Sequence, residues 1–311
     1  MKPPLLQAEK LSVRFGSSKN PVLAIAEADL RICRGESLAV VGESGSGKTT
    51  LLRACLGLTA TSGGSITLFD KDLSRCSRAE LVTLRRRCGY VPQDPFGCVP
   101  PTLCAIDAVT EPMLIGDSPG KKAASERAGE LLLECGLLDR NIWKERVRFS
   151  LSGGQRQRVS IARALALDPE LLLADEPSSM QDAATRKGIM DILRQRCEKG
   201  MGLILATHDL LLASVSASHV MVLYRGHVVE TSPSLDLLSS PIHPYTRALA
   251  AALPVMGRAP RILLRGPGSQ SEERGCDFSE RCPRRTAKCS TPPSLEKIDG
   301  GRAVACRNPG G

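Results

Sequence analysis

Residues Gly42 to Thr49 read GESGSGKT, a complete GxxxxGK[ST] run. SLAVV from Ser37 precedes it with the apolar run of a buried strand, and LLRACLGL from Leu51 continues it as a helix. Strand, glycine-rich turn and helix are the context a genuine phosphate loop requires. Gly42, Gly45 and Gly47 let the backbone turn its N–H groups inward around phosphate oxygens. The following helix points its positive end at the same place. Lys48 brings a point charge to the β and γ phosphates, and Thr49 brings a hydroxyl to Mg²⁺. Ser44 and Thr50 complete the set expected around the nucleotide.

Further strands are expected at SITLF from Ser65, GYVP from Gly89, LLLAD from Leu171, LILAT from Leu203, and the pair VMVLY and HVVET around Gly226. Helical runs separate most of them. Such alternation, with apolar strands, predicts a mostly parallel sheet in an α/β fold. The opening LLQAEKLSVRFG and VLAIAEADLRIC alternate apolar and polar residues, the period of strands. From Asp94 to about Leu165 the pattern is mostly helical. The expected division is a nucleotide-binding core over 1–93 and 166–256, a helical insertion over 94–165, and a small extension over 257–311.

LLLAD ends in Asp175, placed to hold magnesium through water, and Glu176 follows as a candidate general base. LSGGQ, Leu151 to Gln155, precedes this pair and is followed by RQRVSIARAL. The phosphate loop, LSGGQ and LLLADEP in one chain closely resemble the ATP-binding subunit of an ABC transporter. The resemblance implies a P-loop NTPase core with a helical subdomain and an antiparallel β segment. It implies His208 in ATHD as the switch histidine and Gln93 in YVPQD as the glutamine that touches Mg²⁺ or water. Phe15 is the best candidate for an aromatic stacked on adenine. The resemblance also implies that Ser152, Gly153, Gly154 and Gln155, with Asp182, complete the site of a second subunit. The helix that starts there would aim its N-terminus at the opposing γ-phosphate. SSMQD at Ser178 departs from the family's usual SALD-like stretch, through Met180 and Gln181.

SPIHPYTRALAAALP from Ser240 resembles the stretch after the core in the oligopeptide, dipeptide and nickel branch. Beyond it lie Cys276, Cys282, Cys289 and Cys306, separated by five, six and sixteen residues. In that branch this pattern can hold a four-iron four-sulfur cluster. Zinc, and free or disulfide-bonded thiols, are the alternatives, although zinc favours tight CxxC knuckles and none occurs here. The segment from Gly257 has Phe278 as its one aromatic. Fifty-odd residues of this kind cannot bury enough apolar surface to stand alone, so a metal centre is expected to hold it, with nothing else to do so.

The net charge is +9, which suits a protein beside an anionic membrane leaflet. The basic clusters at Arg85, Arg156 and Pro283 lack interleaved aromatics, which argues against nucleic acid. No run approaches a membrane span, and the N-terminus lacks a secretory pattern. The expected protein is a peripheral subunit on the cytoplasmic face of the cell membrane. It would use ATP and Mg²⁺ to power an importer of peptides or a related solute, such as nickel or a metal chelate. Its expected partners are a second ATPase subunit, identical or not, two permeases and, through them, an extracytoplasmic solute-binding protein. An exporter subunit is the alternative within the class; an ABC ATPase acting on nucleic acid or ribosomes is the one outside it.

Overall fold

A computed structural model describes residues 3–16, 21–94, 99–100, 102–115, 120–253 and 275–309. The expected linker after Leu253, and with it the boundary near Gly257, lies outside the described residues. In chain order the elements are β1 (Pro4–Phe15), β2 (Val22–Cys33), β3 (Ser37–Val41), α1 (Lys48–Cys55), β4 (Gly63–Leu68), β5 (Lys71–Asp72), α2 (Arg78–Arg86) and β6 (Cys88–Val91). Then come α3 (Ala105–Ile115), α4 (Lys121–Glu134), α5 (Val147–Ser150), α6 (Gly153–Leu165), β7 (Leu171–Asp175), α7 (Ala183–Glu198), β8 (Gly202–Thr207) and α8 (Leu210–Ser216). The chain closes with β9 (His219–Tyr224), β10 (His227–Pro233), α9 (Ser234–Ser239), α10 (Pro244–Ala251), β11 (Glu296–Ile298) and β12 (Arg302–Val304).

The strands run in the order β5-β4-β1-β2-β10-β9-β3-β8-β7-β6. From β9 to β6 the pairings are parallel. Every residue of β7 and β8 is buried, as expected for strands covered on both faces. The other arm, β2-β1-β4-β5, is antiparallel. Between the arms lies α1, whose Leu51 and Leu52 are fully buried in a core shared by both. Burying two leucines stabilises the helix by about 3–6 kcal/mol, which sets the phosphate loop firmly at the end of β3.

The helices α3, α4 and α6 pack together around Leu131, Leu132, Val159 and Ile161 in a second core. A third core, under α8, α9 and α10, includes Tyr224, Tyr245 and Phe278.

The tail is not held by its cysteines alone, contrary to the expectation from its composition. β12 pairs antiparallel with β10, and β11 pairs with β12, so the tail extends the main sheet. Phe278, 1% exposed, packs edge-on to Tyr224 at 5.3 Å and beside Tyr245 at 5.5 Å between ring centroids. A poor apolar content is offset by docking on a ready-made surface.

Candidate functional site

The phosphate loop leaves β3 and ends at Gly47, which caps α1 with φ 106° and no side-chain cap bond. The first N–H groups of α1 are therefore left for an anion. Gly42 is required by contact, and Gly47 by contact as well as by conformation. A Cβ would lie 2.3 Å from the Leu223 carbonyl oxygen at Gly42 and 2.5 Å from that of Ala24 at Gly47. Ala24 is on β2, two residues past Val22, which pairs with Phe15. Phe15 thus stands half-exposed at the end of the hairpin that overlies the loop. The Arg225–Gly226 turn, packed against Ala24, also backs the loop, with the Gly226 N–H donating to the Ser46 carbonyl at 2.9 Å. Ser44 is exposed, and Thr50 lies in the first turn of α1.

Lys48 Nζ donates to the carbonyls of Gly42 at 2.8 Å and Glu43 at 3.0 Å. Burial lowers the pKa of this ammonium, and Glu176, Asp175 and Glu43 partly offset that. The Thr49 hydroxyl donates to Asp175 Oδ2 at 2.5 Å. Asp175 Oδ1 is buried and has no hydrogen-bond partner. Its carboxyl pKa is raised chiefly by burial, with the Thr49 bond working the other way. An orphaned carboxylate oxygen beside a threonine hydroxyl suits a hard cation with oxygen ligands, as Mg²⁺ is. Gln93 is exposed and lines the same cleft of about 630 Å³ as Thr49 and Asp175.

Glu176 follows β7 with φ 48°, in the left-handed region that costs an ordinary residue about 1 kcal/mol or more. Three bonds hold it there, one of them from the Ser179 N–H to its carbonyl at 3.2 Å. Its N–H donates to the Ala206 carbonyl at 2.9 Å, and its carbonyl accepts from Gln157 Nε2 at 2.8 Å. The bent backbone brings the carboxylate to His208, with Oε1 at 3.2 Å from Nδ1. His208 precedes Asp209, which caps α8 by accepting from the Leu212 N–H at 2.9 Å. The two side chains expected to act on the attacking water are therefore brought together.

LSGGQ forms the start of α6. Ser152 caps it and Gln155 returns the bond, a capping box. The two glycines keep room for residues 180 and 181. A Cβ at Gly153 would meet Met180 Sδ at 3.2 Å, and one at Gly154 would meet Gln181 Oε1 at 3.2 Å. Gln181 is buried and donates from Nε2 to the Gly154 carbonyl at 2.8 Å. The departure at residues 180 and 181 therefore has a structural role, tying the loop after Glu176 to the signature helix. Asp182 caps α7 through the Thr185 N–H at 3.0 Å. That bond lowers its pKa.

The four tail thiols lie close enough to influence one another electrostatically. Each sulfur accepts a backbone N–H, from Phe278 to Cys276, Arg284 to Cys282, Thr286 to Cys289 and Asn308 to Cys306. Burial, then the neighbouring thiols, pushes Cys276 up to about 11. Among the described residues, no three His, Cys, Asp or Glu side chains are grouped to hold one metal ion.

Several residues of the site were not signalled by motifs. Gln157 is fully buried beneath Glu176. Tyr245 accepts the Glu43 N–H at 3.0 Å, and Arg281 pairs with the Glu43 carboxylate at 2.9 Å. Tyr245 sits in the recognised HPYT stretch, the one sequence hint among them.

Comparisons with known proteins agree with this geometry. The ABC transporter family matches residues 25–179. The oligopeptide/dipeptide transporter C-terminal region matches residues 229–289. The oligopeptide transport ATP-binding protein AppD of Bacillus subtilis is 36% identical over 97% of this chain and 96% of its own. A putative peptide import ATP-binding protein of Brucella abortus is 38% identical over 91% and 86%. A dimeric ABC transporter cassette, MJ0796, superposes with a TM-score of 0.69 at 28% identity, over 74% of this chain and 98% of its own. A phosphate loop, a buried carboxylate beside it and an LSGGQ helix on this fold define an ATP-hydrolysing transport cassette. The chain belongs to the ABC transporter ATP-binding family, in the branch that carries the oligopeptide/dipeptide C-terminal region. Members bind ATP with Mg²⁺ and work in pairs on membrane permeases. No helix among the described residues is long and apolar enough to cross a membrane.

Proposed function

We propose that this chain is the ATPase of a peptide importer, acting at the cytoplasmic face of the cell membrane. It would work beside a second cassette, identical or not, and two permeases that receive solute from an extracytoplasmic binding protein. The supporting observation is the joint match of core and C-terminal region to peptide-transport relatives over nearly the whole chain. In this reading 1–93 and 166–256 form the ATP core, 94–165 the helical subdomain and 257–311 the extension. Isolation of the membrane complex, followed by a ligand screen on its binding protein, tests the assignment. A receptor selective for peptides supports it; one that ignores peptides and binds only another solute class overturns it.

In the proposed mechanism Phe15 stacks on adenine, and the loop from Gly42 to Thr50, with Ser44, Gly45, Gly47 and Lys48, holds the phosphates. Thr49, Asp175 and Gln93 would hold Mg²⁺, whose charge stabilises the γ-phosphoryl group in transfer. Glu176 takes a proton from water as the water oxygen bonds to the γ-phosphorus and the bond to the bridging oxygen of ADP breaks. His208, 3.2 Å from Glu176, fixes the carboxylate and contacts the γ-phosphate. Ser152, Gly153, Gly154, Gln155 and Asp182 serve the partner's nucleotide, so ATP joins the two cassettes.

The proposed tail cofactor is an iron–sulfur cluster on Cys276, Cys282, Cys289 and Cys306. Each sulfur accepts an N–H, which at Cys276, Cys282 and Cys306 partly offsets the burial that favours the thiol, and binding to the cluster iron would displace the proton. Zinc favours tight CxxC knuckles, and this spacing has none. Anaerobic purification should yield a brown protein with about four irons per chain. A colourless product with stoichiometric zinc would refute the cluster.

A further inference from the structure

We infer that the cysteine tail clamps the phosphate loop, and that Arg281 is a positioning residue for ATP binding. Three side chains converge on Glu43, inside the loop. Tyr245 accepts its N–H at 3.0 Å. Lys48 donates to its carbonyl at 3.0 Å. Arg281 grips its carboxylate with two parallel bonds, of 2.9 and 3.0 Å. The guanidinium is only 14% exposed, and the Glu43 bonds raise its pKa. A paired, fork-on-fork contact fixes direction as well as distance.

Glu43 also acts on Lys48 through its charge. Left alone, its carboxylate would compete with phosphate for that lysine and repel an anionic substrate. Arg281 cancels this charge and holds the loop from the side of α10 and the tail. The same short turn presents the cysteines. Arg281 immediately precedes Cys282, its N–H donates to the Phe278 carbonyl at 3.1 Å, and the Cys276 N–H donates to the Cys289 carbonyl at 2.9 Å. The turn that carries Cys276 and Cys282 is thereby tied to the phosphate loop.

The test is the Kd of a non-hydrolysable ATP analogue, measured by calorimetry on the full chain with its iron content recorded. Arg281→Met should weaken binding about five- to tenfold, the lower range of site-to-site coupling, and Arg281→Lys should recover part of it. On a Glu43→Gln background, Arg281→Met should cause no further loss, because the charge it cancels is gone. If Arg281→Met proves poorly folded, the swap of Glu43→Arg with Arg281→Glu should bind better than either single change. An unchanged Kd in Arg281→Met, or losses that add in the double variant, overturns the clamp.

Discussion

Gln157→Leu separates holding ATP from hydrolysing it. Gln157 is fully buried. Its amide donates to the Glu176 carbonyl at 2.8 Å and accepts from the Met180 N–H at 3.2 Å and from Gln181 Nε2 at 3.4 Å. Leucine fills the space and returns none of these bonds. Gln181 keeps its bond to the Gly154 carbonyl, and the Glu176 carbonyl keeps the Ser179 N–H at 3.2 Å, so the orphan is the Met180 N–H. Each unsatisfied buried group costs about 1–3 kcal/mol. Met180 is 44% exposed, and water reaching its N–H keeps the cost near the low end, about 1 kcal/mol. The urea midpoint should fall accordingly, with the slope unchanged. Catalysis should suffer separately. Glu176 sits in a strained conformation that Gln157 helps to hold, and a misplacement of about 1 Å can cost about a hundredfold. ATP affinity should stay within about twofold, since no loop contact is touched. Stability at the wild-type level, or lost ATP affinity with the rate per bound ATP intact, would refute the reasoning.

Lys48→Ala should weaken binding of a non-hydrolysable ATP analogue by about 1.5–3 kcal/mol, the worth of a charge-assisted contact; unchanged calorimetric affinity would remove it from the site. His243 is buried beside Phe278, and burial lowers its pKa from the ordinary 6.5 to about 4. Between those values the unfolded chain takes up a proton that the folded one refuses, so stability falls as pH drops through this window, by about 3 kcal/mol in full. Urea melts at pH 7 and pH 4 should show this loss in the wild type and a smaller one in His243→Asn. Cys282→Ser should lose the iron, yet β12 and Phe278 should keep the tail docked; protease resistance of the tail checks this, and full release would show that the cysteines are its main anchor.

The core was legible because its signals are local. SLAVV, GESGSGKT and LLRACLGL place strand, turn and helix within twenty-odd consecutive residues, and LLLADEP does the same for Asp175 and Glu176. The α/β class followed from alternation; the period of the first segments marked them as strands, and the antiparallel arm was what the family resemblance implied. The tail was misjudged because an amount of apolar surface was used where a place to bury it mattered. One phenylalanine suffices when Tyr224 and Tyr245 already form its socket. Arg281 and Glu43 are 238 residues apart, and no periodicity connects them. Gln181 looked like a departure from pattern, but its amide replaces nothing and instead ties Gly154 to the loop after Glu176. Such pairings are set by tertiary contact, which a spacing cannot express.

The central claim is that Glu176 is the base of an ATP-driven transport cassette. Steady-state ATP hydrolysis by Glu176→Gln, assembled with its permeases and partner cassette, tests it most directly. The amide keeps the shape of the side chain and cannot take a proton. Turnover at this site should fall about 10²- to 10⁴-fold, while ATP remains bound and holds the cassettes together. Wild-type turnover at this site in the assembled variant would contradict the account.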